Sequence, residues 1–408
     1  MTPAPPTPPW ARTARGALLL DDAGRLAPTV FAEMTALATA TGAVNLGQGF
    51  PDEDGPAEVL EAARAAIDGG VNQYPPGRGH PALREAVSEH QRRFHGLSPD
   101  PDREVLVTAG ATEALAATLL AFVEPGDEVV VLDPSYDAYG ALVGLADGVL
   151  VPVPLRRPDF RPDPDELRRA FSDRTRVVLL NDPHNPTGTV LDDETRRLVV
   201  ELATRHDALV VTDEVYEHLL FDGRRHVPVA TLPGAAERTL SISSAGKTFS
   251  VTGWKVGWLT GPAHLVERVL TVKQYLTFSG GAPFQPAVAV GLGLPDAFFA
   301  GLARSLQDRR DLLVAGLRSA GLDVTPPAAT YLVVADVAPL GFDDARDACR
   351  HLPGLAGVVG VPVSAFCSPA SADELRTTVR FAVCKRREVL ERAVAGLTGL
   401  GDARRAGR

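Results

Sequence analysis

Four short, almost unbroken apolar stretches constrain the fold of this chain more than any other feature: Glu128–Leu132, Val177–Leu180, Ala208–Thr212 and Thr239–Ile242. A strand with one wet face alternates apolar and polar residues. These four do not alternate, so both of their faces must be covered. Helical patterns lie before and between them, over Val30–Ala40, Ala57–Ile67, His80–Phe94 and Thr112–Val123, with a further strand over Glu104–Thr108. Strands alternating with helices predict an α/β fold with a mostly parallel sheet flanked by helices. Ligands of such sheets bind beyond the carboxyl ends of the strands. A long helix over Asp296–Ala320 leads into a smaller α/β unit that ends near residue 400. Met1–Pro9 carries five prolines and little to bury, which predicts a disordered start, and Asp402–Arg408 reads as a frayed tail. The expected organisation is an arm over 1–27, a large domain over 55–295, a small domain built from both termini (28–54 with 296–400), and a tail over 401–408.

At roughly 100–200 residues per domain, 408 residues give room for two or three cores. The net charge of −10 argues against a nucleic-acid partner, because a surface that tracks phosphates shows a basic excess. The longest apolar runs are far short of a membrane span, so no membrane partner is expected. Asp21 and Asp22 directly follow the apolar residues 16–20, so no leader peptide is expected there. The cysteines, Cys349, Cys367 and Cys384, are odd in number and lack metal-ligand spacing, which predicts reduced thiols in a cytoplasmic protein and no metal site.

Several polar residues stand where the apolar strands end. Lys247, in Ser243-Ser-Ala-Gly-Lys-Thr-Phe249, follows the strand Thr239–Ile242 and is placed in a turn. It reads either as a solvated surface lysine or as a buried amine whose lowered pKa suits Schiff-base chemistry. Asp213, in Val210-Val-Thr-Asp-Glu-Val-Tyr216, is either a helix N-cap or a carboxylate that keeps a pyridine nitrogen protonated. Tyr216 is a core tyrosine or a second contact to the same ring. Asn185, in Asn181-Asp-Pro-His-Asn-Pro-Thr-Gly188, sits in a turn-rich segment and can offer an amide to a phenolic oxygen. Gly110-Ala-Thr-Glu113 opens a helix and offers its amides to a phosphate, to which Ser244 and Lys255 could add a hydroxyl and a charge. Tyr136 could stack on a flat ring. Arg380, in an apolar strand, needs an anion: a substrate carboxylate or an internal salt bridge.

On these residues the sequence resembles the class I/II aminotransferases of pyridoxal-phosphate (PLP) fold type I, over about residues 28–400. The resemblance rests on Asn45-Leu-Gly-Gln-Gly-Phe-Pro-Asp52, Asn72-Gln-Tyr-Pro75, Asn185-Pro-Thr-Gly188, Asp213-Glu-Val-Tyr216 and Ser243–Gly257. It is strongest to the kynurenine aminotransferase and glutamine transaminase branch, and to actinobacterial enzymes described as N-succinyldiaminopimelate aminotransferases. The resemblance implies pyridoxal 5′-phosphate as cofactor and a homodimer with shared active sites. It implies that Lys247 forms the internal aldimine and shuttles the proton, that Asp213 pairs with the pyridinium, and that Asn185 and Tyr216 hold the phenolic oxygen. Ala111, Thr112, Ser244 and Lys255 would bind the phosphate, Tyr74 would reach the phosphate of the other subunit, and Tyr136 would stack on the ring. Arg380 would clamp the substrate α-carboxylate near Gly49 and Asn185. Three positions depart from the pattern: Lys255 replaces a frequent arginine, Thr112 a frequent aromatic and Ser279 an occasional histidine, the last two at the substrate pocket.

The activity implied is ping-pong transfer of an amino group from an L-amino acid to a 2-oxo acid. A PLP-dependent lyase, eliminating at the β-carbon of cysteine S-conjugates, would use the same cofactor residues. A cofactor-binding regulator would need a DNA-binding domain, for which the 27 residues before the match are too few.

Overall fold

The computed structural model describes residues 7–21 and 23–406. Its strands, in chain order, are β1 (Val44–Asn45), β2 (Val105–Thr108), β3 (Glu128–Asp133), β4 (Val149–Arg156), β5 (Arg161–Pro162), β6 (Thr175–Asn181) and β7 (Leu209–Asp213), then β8 (Thr239–Ser244), β9 (Gly257–Thr260), β10 (Asp323–Thr325), β11 (Leu332–Asp336), β12 (Val358–Val359), β13 (Val361–Pro362) and β14 (Thr378–Ala382). Eight of them form one sheet in the order β2-β9-β8-β7-β6-β3-β4-β5. The run β8-β7-β6-β3-β4 is parallel, and the antiparallel pairs involve β9 and β5. The four apolar stretches are therefore the buried middle of a mostly parallel sheet. Val130, Val178 and Val210 pack on one face, and Val129, Val131, Val177 and Val211 on the other.

The helices that position the site are α1 (Pro9–Gly16), α2 (Val30–Thr41), α3 (Ala57–Asp68), α4 (Pro81–His95), α5 (Gly110–Phe122) and α6 (Asp137–Leu145). The segment with five prolines lies mostly outside the described residues, but its last proline opens α1, because a proline at the first helical position loses no intrahelical bond. The disorder expected of Met1–Pro9 therefore lies, up to residue 6, outside the described residues, and from Pro9 the chain is helical. Helix α1 lies backbone to backbone on α6, and only glycine permits this: a Cβ on Gly16 would stand 2.0 Å from the carbonyl oxygen of Gly140, and one on Gly144 2.5 Å from that of Arg12. The frayed tail is also corrected. The last helix runs from Arg387 to Ala406.

A second, antiparallel sheet has the order β10-β11-β14-β13, and β1 pairs in parallel with β12. The helix Asp296–Ser319 precedes this sheet, and Leu313, Leu317, Val333 and Phe381 share its core with Leu46 and Tyr216. Residues from both ends of the chain thus meet in one apolar cluster, and Tyr216, three residues past the end of β7, joins them. Among the described residues no single helix is long and apolar enough to cross a membrane.

Candidate active site

At the carboxyl ends of β6, β7 and β8 the chain surrounds a cavity of about 200 Å³. Asp213, the last residue of β7, is buried there. Its Oδ2 accepts a hydrogen bond from the Tyr139 hydroxyl at 2.8 Å, and its Oδ1 accepts one from the backbone N–H of Val215 at 3.4 Å. No helix follows, so Asp213 is not an N-cap. Burial pushes its carboxyl up to about 6, against the hydrogen bonds from Tyr139 and Val215 and the Lys247 charge, which favour the ionised form.

Asn181, at the end of β6, ties the neighbouring strands together. Its Nδ2 donates to the Asp213 carbonyl at 2.8 Å, and its Oδ1 accepts the N–H of Asn185 at 2.7 Å. Asn185 is thereby fixed at the cavity wall.

Lys247 lies in a one-turn helix, Ala245–Thr248, rather than in the expected turn. Its Nζ stands 5.8 Å from the ring centroids of both Tyr216 and Tyr331. Burial lowers the amine's pKa, the charges of Cys384 and Asp213 oppose the shift, and Arg380 and Lys255 add to it. That is the direction a nucleophilic amine requires. Tyr216 is buried and meets Tyr331 edge-on at 5.4 Å, and the Tyr331 hydroxyl donates to the Gly49 carbonyl at 2.5 Å. A Cβ on Gly49 would lie 3.4 Å from the same ring.

At the far end of the cavity, Gly110 begins α5 with φ +76°, a left-handed conformation that favours glycine. A Cβ there would come within 3.2 Å of the Lys255 Nζ. The amides of Ala111 and Thr112, the Ser244 hydroxyl and the Lys255 ammonium thus line one pocket at a helix N-terminus. Tyr136 lines the wall beside them, edge-on to Tyr139 at 5.7 Å. Its hydroxyl shares a hydrogen bond with Thr112, and burial, first, with the nearby Asp137 and Asp213 charges, raises its pKa to about 12.

Arg380 is buried on β14. Its guanidinium donates to Asn185 Oδ1 and to the Gly47 carbonyl, both at 3.0 Å, and lies over the rings of Phe366 and Phe31 at 4.7 and 5.3 Å. Its Nε is buried without a hydrogen-bond partner. Among the described residues no carboxylate pairs with it, so the salt-bridge reading fails, and a cation with a spare donor beside Asn185 is left to take an anion. Arg380 and Gly49 do not line the cavity but adjoin its wall through Asn185 and through the Tyr331–Tyr216 pair, whereas two other expected residues lie outside it. Tyr74 is 79% exposed and meets Phe278 edge-on at 5.6 Å. Ser279 is buried elsewhere with an unpartnered hydroxyl, so of the two pocket departures only Thr112 lines the cavity. Tyr139, Asn181 and Tyr331 were not singled out from the sequence.

The aminotransferase class I and II model matches residues 41–397. The chain belongs to this family.

It is 52% identical to a probable N-succinyldiaminopimelate aminotransferase of Mycobacterium tuberculosis, over 92% of this chain and 97% of the relative. The solved structure of the M. tuberculosis N-succinyldiaminopimelate aminotransferase superposes with a TM-score of 0.89 at 53% identity, covering 92% of this chain and 97% of that one. Kynurenine–oxoglutarate transaminase 3 of Mus musculus is 39% identical, over 93% of this chain and 90% of the relative. The chain is accordingly a PLP-dependent aminotransferase of fold type I, not a lyase. Its own residues fit the cofactor. The Gly110–Lys255 pocket offers backbone amides and a cation to a phosphate. A buried carboxylate and a buried amine face the space between.

Proposed function

We propose that this cavity is where the chain moves an amino group from an L-amino acid to a 2-oxo acid, with Lys247 as the covalent anchor and proton carrier. Bound pyridoxal phosphate supplies an electron-withdrawing ring that stabilises negative charge at the substrate Cα. Ala111, Thr112, Ser244 and Lys255 would hold its phosphate, Tyr136 would lie against its ring, and Asn185 and Tyr216 would hold its phenolic oxygen. Asp213, ionised above a pH of about 6, would pair with its ring nitrogen. Lys247 Nζ, whose pKa burial lowers, would take the proton from the substrate Cα. A positioned amine of this kind contributes about 10²–10⁴-fold in rate. Arg380 grips the α-carboxylate with its forked donors, beside Asn185 and Gly49.

The observation that carries this reading is the placement of Asp213 and Lys247 at the ends of adjacent strands, β7 and β8, opening into one cavity. The M. tuberculosis relatives make N-succinyldiaminopimelate the first amino donor to try. The test is a panel of amino acids, that compound and L-glutamate included, each mixed with the holoenzyme while the cofactor's visible band is followed. Bleaching with release of the 2-oxo acid is expected. A band that returns while pyruvate accumulates from a cysteine conjugate would instead mean elimination.

We also take 55–295 as the large domain and 28–54 with 296–400 as the small one, because the eight-stranded sheet uses strands between 105 and 260 and the four-stranded sheet strands between 323 and 382. A homodimer is supported by an apolar surface at Tyr74, Tyr275, Leu276 and Phe278, all exposed, beside Thr277, whose hydroxyl donates to Glu113 in the first turn of α5. Three buried, unpaired thiols support a cytoplasmic setting.

A further inference from the structure

Four of the nine histidines gather in one dry space behind the segment that carries Asp213 and Tyr216. His90 and His95 come from α4, His218 follows Glu217, and His226 lies farther along the chain. His90 Nε2 stands 2.6 Å from His218 Nε2, and His95 Nε2 stands 2.9 Å from Glu217 Oε2. One donor atom each from His90, His95 and Glu217 lies within 4.8 Å of the others. The rings of Phe94 and Phe299 close the space, 4.8 and 4.4 Å from the His218 ring. Two atoms in the cluster, His90 Nδ1 and His95 Nδ1, are buried without a partner, as is His226 Nδ1 beside it.

We propose that His90, His95 and Glu217 form a binding site for one divalent zinc-class ion, its fourth position open to the His218 ring once that ring turns from its contact with His90. Borderline divalent ions favour imidazole nitrogen with carboxylate oxygen in four-coordinate sites. Bonds of about 2.0–2.2 Å place tetrahedral ligand atoms about 3.3 Å apart. The two contacts of 2.6 and 2.9 Å must open slightly and the widest separation must close, which ring rotation can supply. The unpartnered Nδ1 atoms of His90 and His95 can carry the ring protons when the Nε2 atoms turn to a metal. Binding then needs a tautomer shift and no loss of charge from the protein. An outer shell is in place too. The Ser243 hydroxyl donates to Glu217 Oε1 at 2.6 Å, and His226 pairs with Glu214 at 2.9 Å. The ion would pin α4 to the segment Asp213–His218. Spacing along the sequence gives no hint of this, because the residues are scattered from position 90 to 218.

The test uses the full-length holoenzyme, incubated with zinc chloride, desalted and assayed for metal by emission spectrometry, with its thermal midpoint read alongside. About one zinc per chain, a raised midpoint, and retention reduced about tenfold or more in His95→Gln and Glu217→Gln are expected. The exposed-histidine control His264→Gln should match the unaltered chain. Ser243→Ala should weaken retention about tenfold while the ligands remain. Negligible retention, or equal retention in all variants, overturns the proposal. If the ligand variants do not fold, cobalt-loaded unaltered enzyme decides. The intense visible bands of four-coordinate cobalt are expected, and the weak bands of six-coordinate surface cobalt overturn it.

Discussion

The segment Asp213–His218 has two sides that solve the burial of polar groups differently. On the cavity side, Asp213 and Tyr216 take contacts from residues far away in the chain, Tyr139 and Tyr331, around a space left for a ligand. On the other side, Glu214 and Glu217 face Ser241, Ser243, His226 and His95 with no cavity of substrate size. One side stores charge for chemistry, and the other uses charge to hold strands and a helix together. A carboxylate raised to about 6 belongs to the first, and one held well below its ordinary range belongs to the second. Local sequence alone does not separate them, since three acidic residues lie within five positions.

Mutations sharpen the contrast. Lys247→Ala should lower kcat by about 10²–10⁴-fold or more with the fold intact, as judged by circular dichroism. Arg380→Lys keeps a charge but loses the fork, so KM for α-carboxylate substrates should rise about 10–100-fold, a loss of about 1.5–3 kcal/mol of charged hydrogen bonding. Equal KM values would make the arginine structural. Tyr139→Phe removes a donor that favours the Asp213 carboxylate, so the acid limb of the rate profile should move above a pH of about 6 and activity should fall several-fold there. The same raised carboxyl predicts that the cofactor-free protein loses stability as pH climbs from 3.8 towards about 6, because its folded pKa exceeds its unfolded one. Asp213→Asn should remove that slope in urea titrations. The smallest effect is on the far side. Ser243→Ala should leave kcat within about twofold and lower the melting temperature by roughly 2–4 °C, the cost of one hydrogen bond of about 1 kcal/mol.

Much of this was legible from the residues. The unbroken apolar strands announced the buried sheet, and Lys247, Asp213, Asn185, Ser244 and Lys255 all line one cavity. Strand β4 was not, because Pro152 and Pro154 break its ladder signature and its first residues are exposed or half-buried. Helix α1 was hidden by composition, since its packing depends on the Gly16–Gly140 approach. Asn181 and Tyr139 left weak signals, one directly after an apolar run and the other three residues beyond Tyr136. Tyr331 left none, because its place depends on how the four-stranded sheet meets the large one. Tyr74 and Ser279 stand apart from the cavity within one chain.

The central claim is that Lys247 anchors the cofactor. Reducing the holoenzyme with borohydride and sequencing the labelled peptide tests it directly. The account predicts a pyridoxyl group on Lys247 within Ser243–Phe249, and a label on Lys255 or Lys273 would contradict it.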